Sequence, residues 1–214
     1  MTRLDRLPLF PLGLVLYPRE RLPLHIFEER YKDLIGGCLR TKQPFGLVFS
    51  DEGKLARVGC TALVTDVMET YPDGRMDVLV RGQQRFKVLR VYNDLAYLTA
   101  DVTVIEEPEE ALNRDKQERV ITQHMRLLEL AGRTVRPSLY QNEVGLSYVI
   151  APNAGLSSEQ KQEVLELPTE NERIDYLIGH LESLIPQVEK MEDLRRRIQS
   201  NGHFRDFPPE GEEE

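Results

Sequence analysis

The chain has 214 residues, of which 40% are hydrophobic and 30% charged, a balance typical of a globular protein and not of a disordered one. The net charge of −8 is divided unevenly: residues 1–106 carry +1 and residues 107–214 carry −9, so neither half has the basic excess of a nucleic-acid-binding protein. The two cysteines, Cys38 and Cys60, form no Cys-x-x-Cys pair, which argues against a disulfide framework or a zinc site and fits a reducing cytoplasm.

The first apolar run of the chain extends from Leu7 to Tyr17 and contains Pro8, Pro11 and Gly13. It is too short to cross a bilayer. No small-residue cleavage site follows it, so it does not resemble a signal peptide either. The sequence therefore predicts a cytoplasmic protein that does not contact membranes.

An amphipathic helix is predicted directly after this region. The apolar side chains fall at the spacing of one helical face: Phe27, Tyr31, Leu34, Ile35 and Cys38. Glu28 and Glu29 lie in the first turn, where negative charge complements the helix dipole. We expect Phe27 and Tyr31 to belong to the core.

Short strands dominate the rest of the first half. A hairpin is predicted from Val58–Thr70 and Arg75–Arg81, because Tyr71-Pro72-Asp73-Gly74 between them has the residues that a tight turn needs. Alternating or β-branched patterns predict three further strands: Phe45–Ser50, Phe86–Val91 and Leu98–Val104. Gly82 is interpreted as a break between two of these strands. Several short strands with one inserted helix indicate a small closed or half-closed barrel.

The second half is predicted to be helical. A charged, proline-containing stretch at 106–110 is a plausible linker, and two capping boxes, Ser157-x-x-Gln160 and Thr169-x-x-Glu172, mark helix starts. One helical face is predicted by these residues: Val120, His124, Leu127, Leu128 and Ala131. The final helix is the longest, and Pro186 inside it predicts a kink. The division is therefore a β-rich domain at 1–106, a helical domain at 107–199 and a disordered acidic tail at 200–214.

Several motifs resemble those of the Lon N-terminal domain family. In chain order they are LPLFPLGLVLYP at 7–18, PLHIFEERY at 23–31, VGC at 58–60, PDGR at 72–75, GQQRF at 82–86, LSYVIA at 146–151, KQEVLE at 161–166 and ERIDYL at 172–177. The resemblance implies an α+β fold, a PUA-like β-barrel with one inserted helix followed by a helical bundle with a long final helix. It also implies a substrate-recognition region without the ATPase and protease domains of full-length Lon, and hence no enzyme activity.

The candidate site residues lie around the first connection of the barrel, between residues 17 and 30. Tyr17, Leu22, His25 and Arg30 are predicted to contribute to a groove for extended peptide. The alternative for Tyr17 and Leu22 is packing in the core; for His25 and Arg30 it is a set of structural hydrogen bonds, which we favour over a catalytic role. His25 has no nucleophile motif near it, so catalysis is not expected. The four histidines show no ligand spacing, so neither a metal nor another cofactor is expected.

Three functions follow as hypotheses. The first is a non-catalytic protein-binding module that takes unfolded or tagged polypeptides, or a partner protein such as a protease, with an adaptor or chaperone-like role. The second is RNA binding, since PUA-like barrels can support it, but the charge distribution argues against nucleic acid as a partner. The third is a hydrolase, for which the sequence offers no set of nucleophile, base and oxyanion site.

Overall fold

A computed structural model describes residues 2–108, 111–134, 137–140 and 145–201, with the side chains of 137 and 199–201 left out. These residues form seven strands: β1 Arg3–Leu12, β2 Arg21–Ile26, β3 Phe45–Asp51, β4 Lys54–Leu55, β5 Val58–Thr70, β6 Met76–Tyr92 and β7 Thr99–Val104. The same described ranges contain five α-helices: α1 Glu29–Thr41, α2 Arg114–Leu130, α3 Leu146–Ile150, α4 Ser158–Glu166 and α5 Glu170–Asn201. The expected α+β class, with strands first and a long final helix, is confirmed. The predicted tail beyond residue 201 lies outside the described residues.

The strands close into a barrel. Neighbouring strands follow the order β1-β7-β6-β5-β3, and β3 pairs in parallel with β1, which brings the two ends of this order together. Helix α1 covers one end of the barrel through its buried residues Tyr31, Leu34, Ile35 and Cys38. The Phe10 ring stacks on Tyr31 with centroids 4.0 Å apart. Burial of this apolar helix face against the barrel interior holds α1 in place.

Strand β6 is a single strand, and this corrects the interpretation of Gly82 as a break. The strand runs from Met76 to Tyr92 without interruption. A Cβ added at Gly82 would lie 2.1 Å from the carbonyl oxygen of Tyr17. The Gly82 N–H donates to the Glu20 carbonyl, and the Arg19 N–H donates to the Gly82 carbonyl. Gly82 is required because another backbone segment crosses β6 there, at a distance that no side chain permits.

Part of the sheet extends beyond the barrel. The first half of β6 pairs with β2 on one side and with the second half of β5 on the other. We call this three-stranded extension the arm; it comprises Arg21–Ile26, Leu63–Thr70 and Met76–Arg81. The β5–β6 turn forms as predicted: the Gly74 N–H donates to the Tyr71 carbonyl, and Gly74 has a φ of 81°. Glycine tolerates this left-handed conformation.

The helical half is built on two long helices that run side by side. Helix α2 packs against α5, and three ion pairs follow each other along both helices: Lys116–Asp175, Arg119–Glu182 and Arg126–Glu189. Both predicted capping boxes are present, at Ser157 and at Thr169. Helix α5 continues through Pro186. Four of the five predicted α2 residues are buried, whereas Ala131 is the exposed C-cap.

Buried charges join the barrel to the helical half. Arg85 on β6 is 1% exposed, and its guanidinium donates to Glu107 and to the carbonyl oxygens of Leu165, Leu167 and Pro168. Arg173 on α5 is equally buried and donates to Glu107 Oε2 at 2.9 Å, an oxygen that also accepts from Arg85. Glu107, in the predicted linker, therefore compensates two buried cations, and an unpaired buried charge would be costly.

Candidate peptide-binding surface

The outward face of the arm carries exposed aromatic rings. Along β2, side chains alternate between the interior and solvent, so that Leu24 and Ile26 are buried while His25 is exposed. Phe27 continues this alternation past the end of the strand and is 59% exposed. Its ring stacks on His25 with centroids 6.0 Å apart. We expected Phe27 in the core, and that expectation was wrong, because the residue precedes α1 and follows the β2 pattern.

A chain of hydrogen bonds fixes these rings. His25 lies opposite Asp77 on β6, and the distance from its Nδ1 to Asp77 Oδ1 is 2.5 Å. The Tyr71 hydroxyl donates to the other Asp77 oxygen and also lies 3.1 Å from Glu69. Hydrogen bonds from His25 and Tyr71 lower the pKa of Asp77, and hydrogen bonding to Asp77 raises the pKa of Tyr71 to about 12. The acid therefore stays ionised and the phenol neutral near pH 7, which keeps the array ordered.

The four residues predicted to line a groove do not form one site. Tyr17 is fully buried between barrel and helices, and its hydroxyl donates to the Lys161 carbonyl at 2.9 Å, so its side chain is not available to a peptide. Leu22 is half-buried against the barrel core. Arg30 is exposed, pairs with Glu28 and lies over the Tyr31 ring. Of the four, only His25 belongs to the aromatic array; Phe27 and Tyr71, which sequence reasoning did not assign to the surface, complete it.

A second feature lies on the edge of the arm. Leu39 and Lys42 at the end of α1, together with Cys38, face Leu63 and Val64 of β5 across an open pocket of about 300 Å³. The pocket walls are mainly apolar, and Lys42 is the charged group among them. The C-terminal turn of α1 and the middle of β5 thus enclose an apolar depression beside a strand edge.

The other groups considered for chemistry are structural in this fold. Cys60 is fully buried, and burial raises its pKa to about 12; the pKa of the less enclosed Cys38 is raised to about 11 for the same reason. Neither thiol is therefore a nucleophile at neutral pH. No group of three or more potential ligands that could hold a metal ion occurs in the described part of the chain. None of its helices combines the length and apolar character needed to cross a bilayer.

The chain is similar to Lon proteases and to their N-terminal domains. It is 27% identical over 210 residues to Lon protease of Buchnera aphidicola subsp. Baizongia pistaciae, covering 90% of this chain but 26% of that protein. It is 32% identical over 139 residues to Lon protease of Lawsonia intracellularis, covering 61% of this chain and 17% of that protein. The chain therefore spans about a quarter, or less, of these relatives.

Solved structures show the same relationship. The Lon N-terminal domain protein from Xanthomonas campestris superimposes with a TM-score of 0.66 at 25% identity, covering 84% of this chain and 98% of that one. The N-terminal domain of Mycobacterium avium complex Lon protease gives a TM-score of 0.60 at 18% identity, covering 83% and 98%, and supports the fold. The sequence model of the ATP-dependent protease La (LON) substrate-binding domain matches residues 6–183, and the chain accordingly belongs to this family.

Proposed function

We propose that this chain is a non-catalytic module that binds polypeptide segments with exposed apolar side chains, and that the arm is its binding surface. The observation that carries the proposal is Phe27: a large aromatic ring, 59% exposed, stacked on His25. Aromatic rings exposed on rigid supports supply much of the affinity of protein interfaces. Membership of a substrate-binding domain family supports polypeptide as the class of ligand.

The surroundings of Phe27 suit a polypeptide better than a small substrate. The ring lies on the outward sheet face, and the hydrogen bonds of His25, Asp77 and Tyr71 hold that face in one arrangement. A preformed surface loses little conformational entropy when it binds, so even a weakly structured client gains net affinity. Leu22 and Arg30, which flank the array in sequence, remain proposed contributors at its margin. Delivery of the bound segment to a partner such as a protease is the biological role that we propose for this binding.

The test is a binding titration with a fluorescein-labelled polypeptide kept unfolded by reduction and alkylation. Phe27→Asp is expected to weaken binding roughly tenfold or more, since a charge replaces the exposed ring. The matched control is Leu95→Asp, because Leu95 is 54% exposed and lies beyond the opposite end of β6. Equal affinity of both variants and the unmodified chain, or no binding by the unmodified chain, would refute the proposed surface.

A further inference from the structure

One edge of the arm has no strand beside it. The pairing of β5 with β3 ends at Ala62, whereas its pairing with β6 continues to Thr70. From Leu63 to Thr70, therefore, β5 pairs on one side alone, and no described strand lies along its other side. Residues 65–70 are all exposed. Unpaired N–H and C=O groups along such an edge can pair with another extended chain.

The apolar pocket adjoins the start of this free edge. Leu63 and Val64 belong both to the unpaired stretch of β5 and to the pocket that they share with Leu39. A segment that adds to the edge directs alternate side chains to the same face. One of them is then placed over the pocket, whose volume of about 300 Å³ accommodates a side chain of the size of leucine.

Two charges of opposite sign lie near the free edge. Lys42 lines the pocket, and Asp66 is two residues beyond Val64 on β5. Neither side chain has an ion-pair partner among the described residues. An added segment thus meets an unpaired cation at the pocket and an unpaired anion farther along the edge.

The irregularity of β5 limits what can be added. Its register against β6 shifts between Val64 and Asp66 and again between Val67 and Glu69. Bulges of this kind bend a strand and prevent long, regular edge-to-edge pairing. The edge therefore favours a short segment and disfavours indiscriminate pairing with whole sheets.

We propose that the free edge of β5 captures a short segment of the client as an added strand. The segment inserts an apolar side chain into the pocket, places a carboxylate at Lys42 and a basic group at Asp66. This inference rests on the proposed function and specifies it: the client is held through its backbone and a charge pattern, in addition to the contact with Phe27.

The experiment uses a short fluorescent peptide with one Glu, a central Leu and one Arg, and a second peptide whose backbone is N-methylated around the Leu. Methylation removes the donors that strand pairing requires while the side chains are kept. We expect the methylated peptide to bind roughly tenfold more weakly to the unmodified chain. Equal affinities of the two peptides would overturn the strand-addition mode.

Charge exchange supplies the second measurement. Lys42→Glu should weaken binding of the Glu-containing peptide and favour a peptide in which Glu is replaced by Lys, whereas Lys54→Glu, at an exposed lysine on β4, should do neither. No response to Lys42→Glu would overturn the charge assignment. Suppose that neither N-methylation of the peptide nor Lys42→Glu changes the affinity, while Phe27→Asp still weakens binding of the unfolded polypeptide. Strand addition is then wrong and the proposed function stands. If the unfolded polypeptide does not bind at all, both the proposed function and strand addition are wrong.

Discussion

A single buried residue, His124, can determine how far the stability of this fold falls at acid pH. It is fully buried, and its Nδ1 lies 2.9 Å from the Tyr140 hydroxyl. Burial lowers its pKa from 6.5 to about 4, because a charged imidazolium would lose its hydration there. The folded state therefore keeps this histidine neutral under conditions in which the unfolded chain protonates it.

The pH dependence of stability follows from this difference. Between pH 6.5 and pH 4 the unfolded chain binds the proton more tightly than the folded chain, so the free energy of unfolding falls as the pH falls. At pH 5 the loss attributable to His124 is on the order of 2 kcal/mol. Urea denaturation at pH 7 and pH 5 measures it. His124→Phe, which cannot take up the proton, should show a smaller loss; an identical loss in both chains would contradict the assignment.

Gly82 gives a second prediction that concerns a single residue. Gly82→Ala places a methyl group 2.1 Å from the Tyr17 carbonyl oxygen, so either β6 or the crossing segment must move. We expect destabilisation of about 3 kcal/mol or more, as for other overpacked positions. Gly179→Ala is the control, because nothing lies within 4 Å of the added methyl in α5 and alanine favours helix. Thermal unfolding should show a lower midpoint for the first variant and an unchanged or higher one for the second.

At the scale of elements, the cluster around Glu107 connects β6, the segment that follows β7, and α5. Burial alone would raise the pKa of Glu107, but hydrogen bonding and ion pairing with Arg85 and Arg173 outweigh it, so that the pKa is lowered. The carboxylate thus stabilises the folded state above the ordinary glutamate pKa, and this contribution is lost as the pH falls through the lowered value. Its protonation leaves two buried guanidinium groups with less compensation.

Neutralising this carboxylate should therefore be far more costly than neutralising an exposed one. Glu107→Gln is expected to lower the free energy of unfolding by about 3 kcal/mol. The same change at Glu182, which pairs with Arg119 on the surface, should cost less than about 1 kcal/mol. Chemical denaturation of the two variants provides the comparison. Similar costs for both would show that the buried network adds little to the stability of the fold.

Elements defined by local signals were predictable from the sequence. The hairpin turn and the capping boxes at Ser157 and Thr169 depend on residues within a few positions of each other, and the structure confirms them. Strand β1 was not predicted, because prolines interrupt its pattern. The roles of Gly82 and Glu107 depend on partners far away in sequence, which no local pattern reveals.

The geometry of the candidate site also depends on contacts between residues far apart in sequence, which local patterns do not predict. His25 was identified from its position, but its stacking with Phe27 and its bond to Asp77 depend on the register of β2 against β6. Tyr17 was chosen as an aromatic residue in the connection before β2, yet it points between barrel and helices. A period-two pattern in β2 could have indicated that Phe27 faces solvent. No pattern in the sequence indicates which edge of the sheet remains unpaired.

For the whole molecule, the contacts between barrel and helices predict joint unfolding. Besides the buried charges, the Gln162 amide donates to the Val58 carbonyl and the Tyr17 hydroxyl donates to the Lys161 carbonyl. Hydrogen exchange should then give the same opening free energy for the slowest amides of β6 and of α5, because the apolar core of the helical half also contains Val15, Tyr17 and Val58 of the barrel. Clearly different values would indicate two independent folding units and favour the predicted boundary at residue 106.

The charge distribution provides a prediction for the RNA alternative. With a net of +1 on residues 1–106 and −9 on the remainder, few phosphates can be neutralised. We expect no tight, salt-dependent binding of a labelled RNA oligonucleotide in low-salt gel-shift experiments. A steep loss of RNA affinity with added salt would instead support a nucleic-acid role for the barrel.

The pairing of β1 with both β7 and β3 has a consequence for biosynthesis. Strand β1 is translated before β3 and β7, so its second edge stays unoccupied until β7 has been made. Arg85 waits longer still, since its carbonyl partners at Leu165 and Leu167 are translated much later. The nascent barrel therefore carries an open edge, and Arg85 lacks its carbonyl acceptors, during elongation; completion of the fold belongs to the period after most of the helical half has been made.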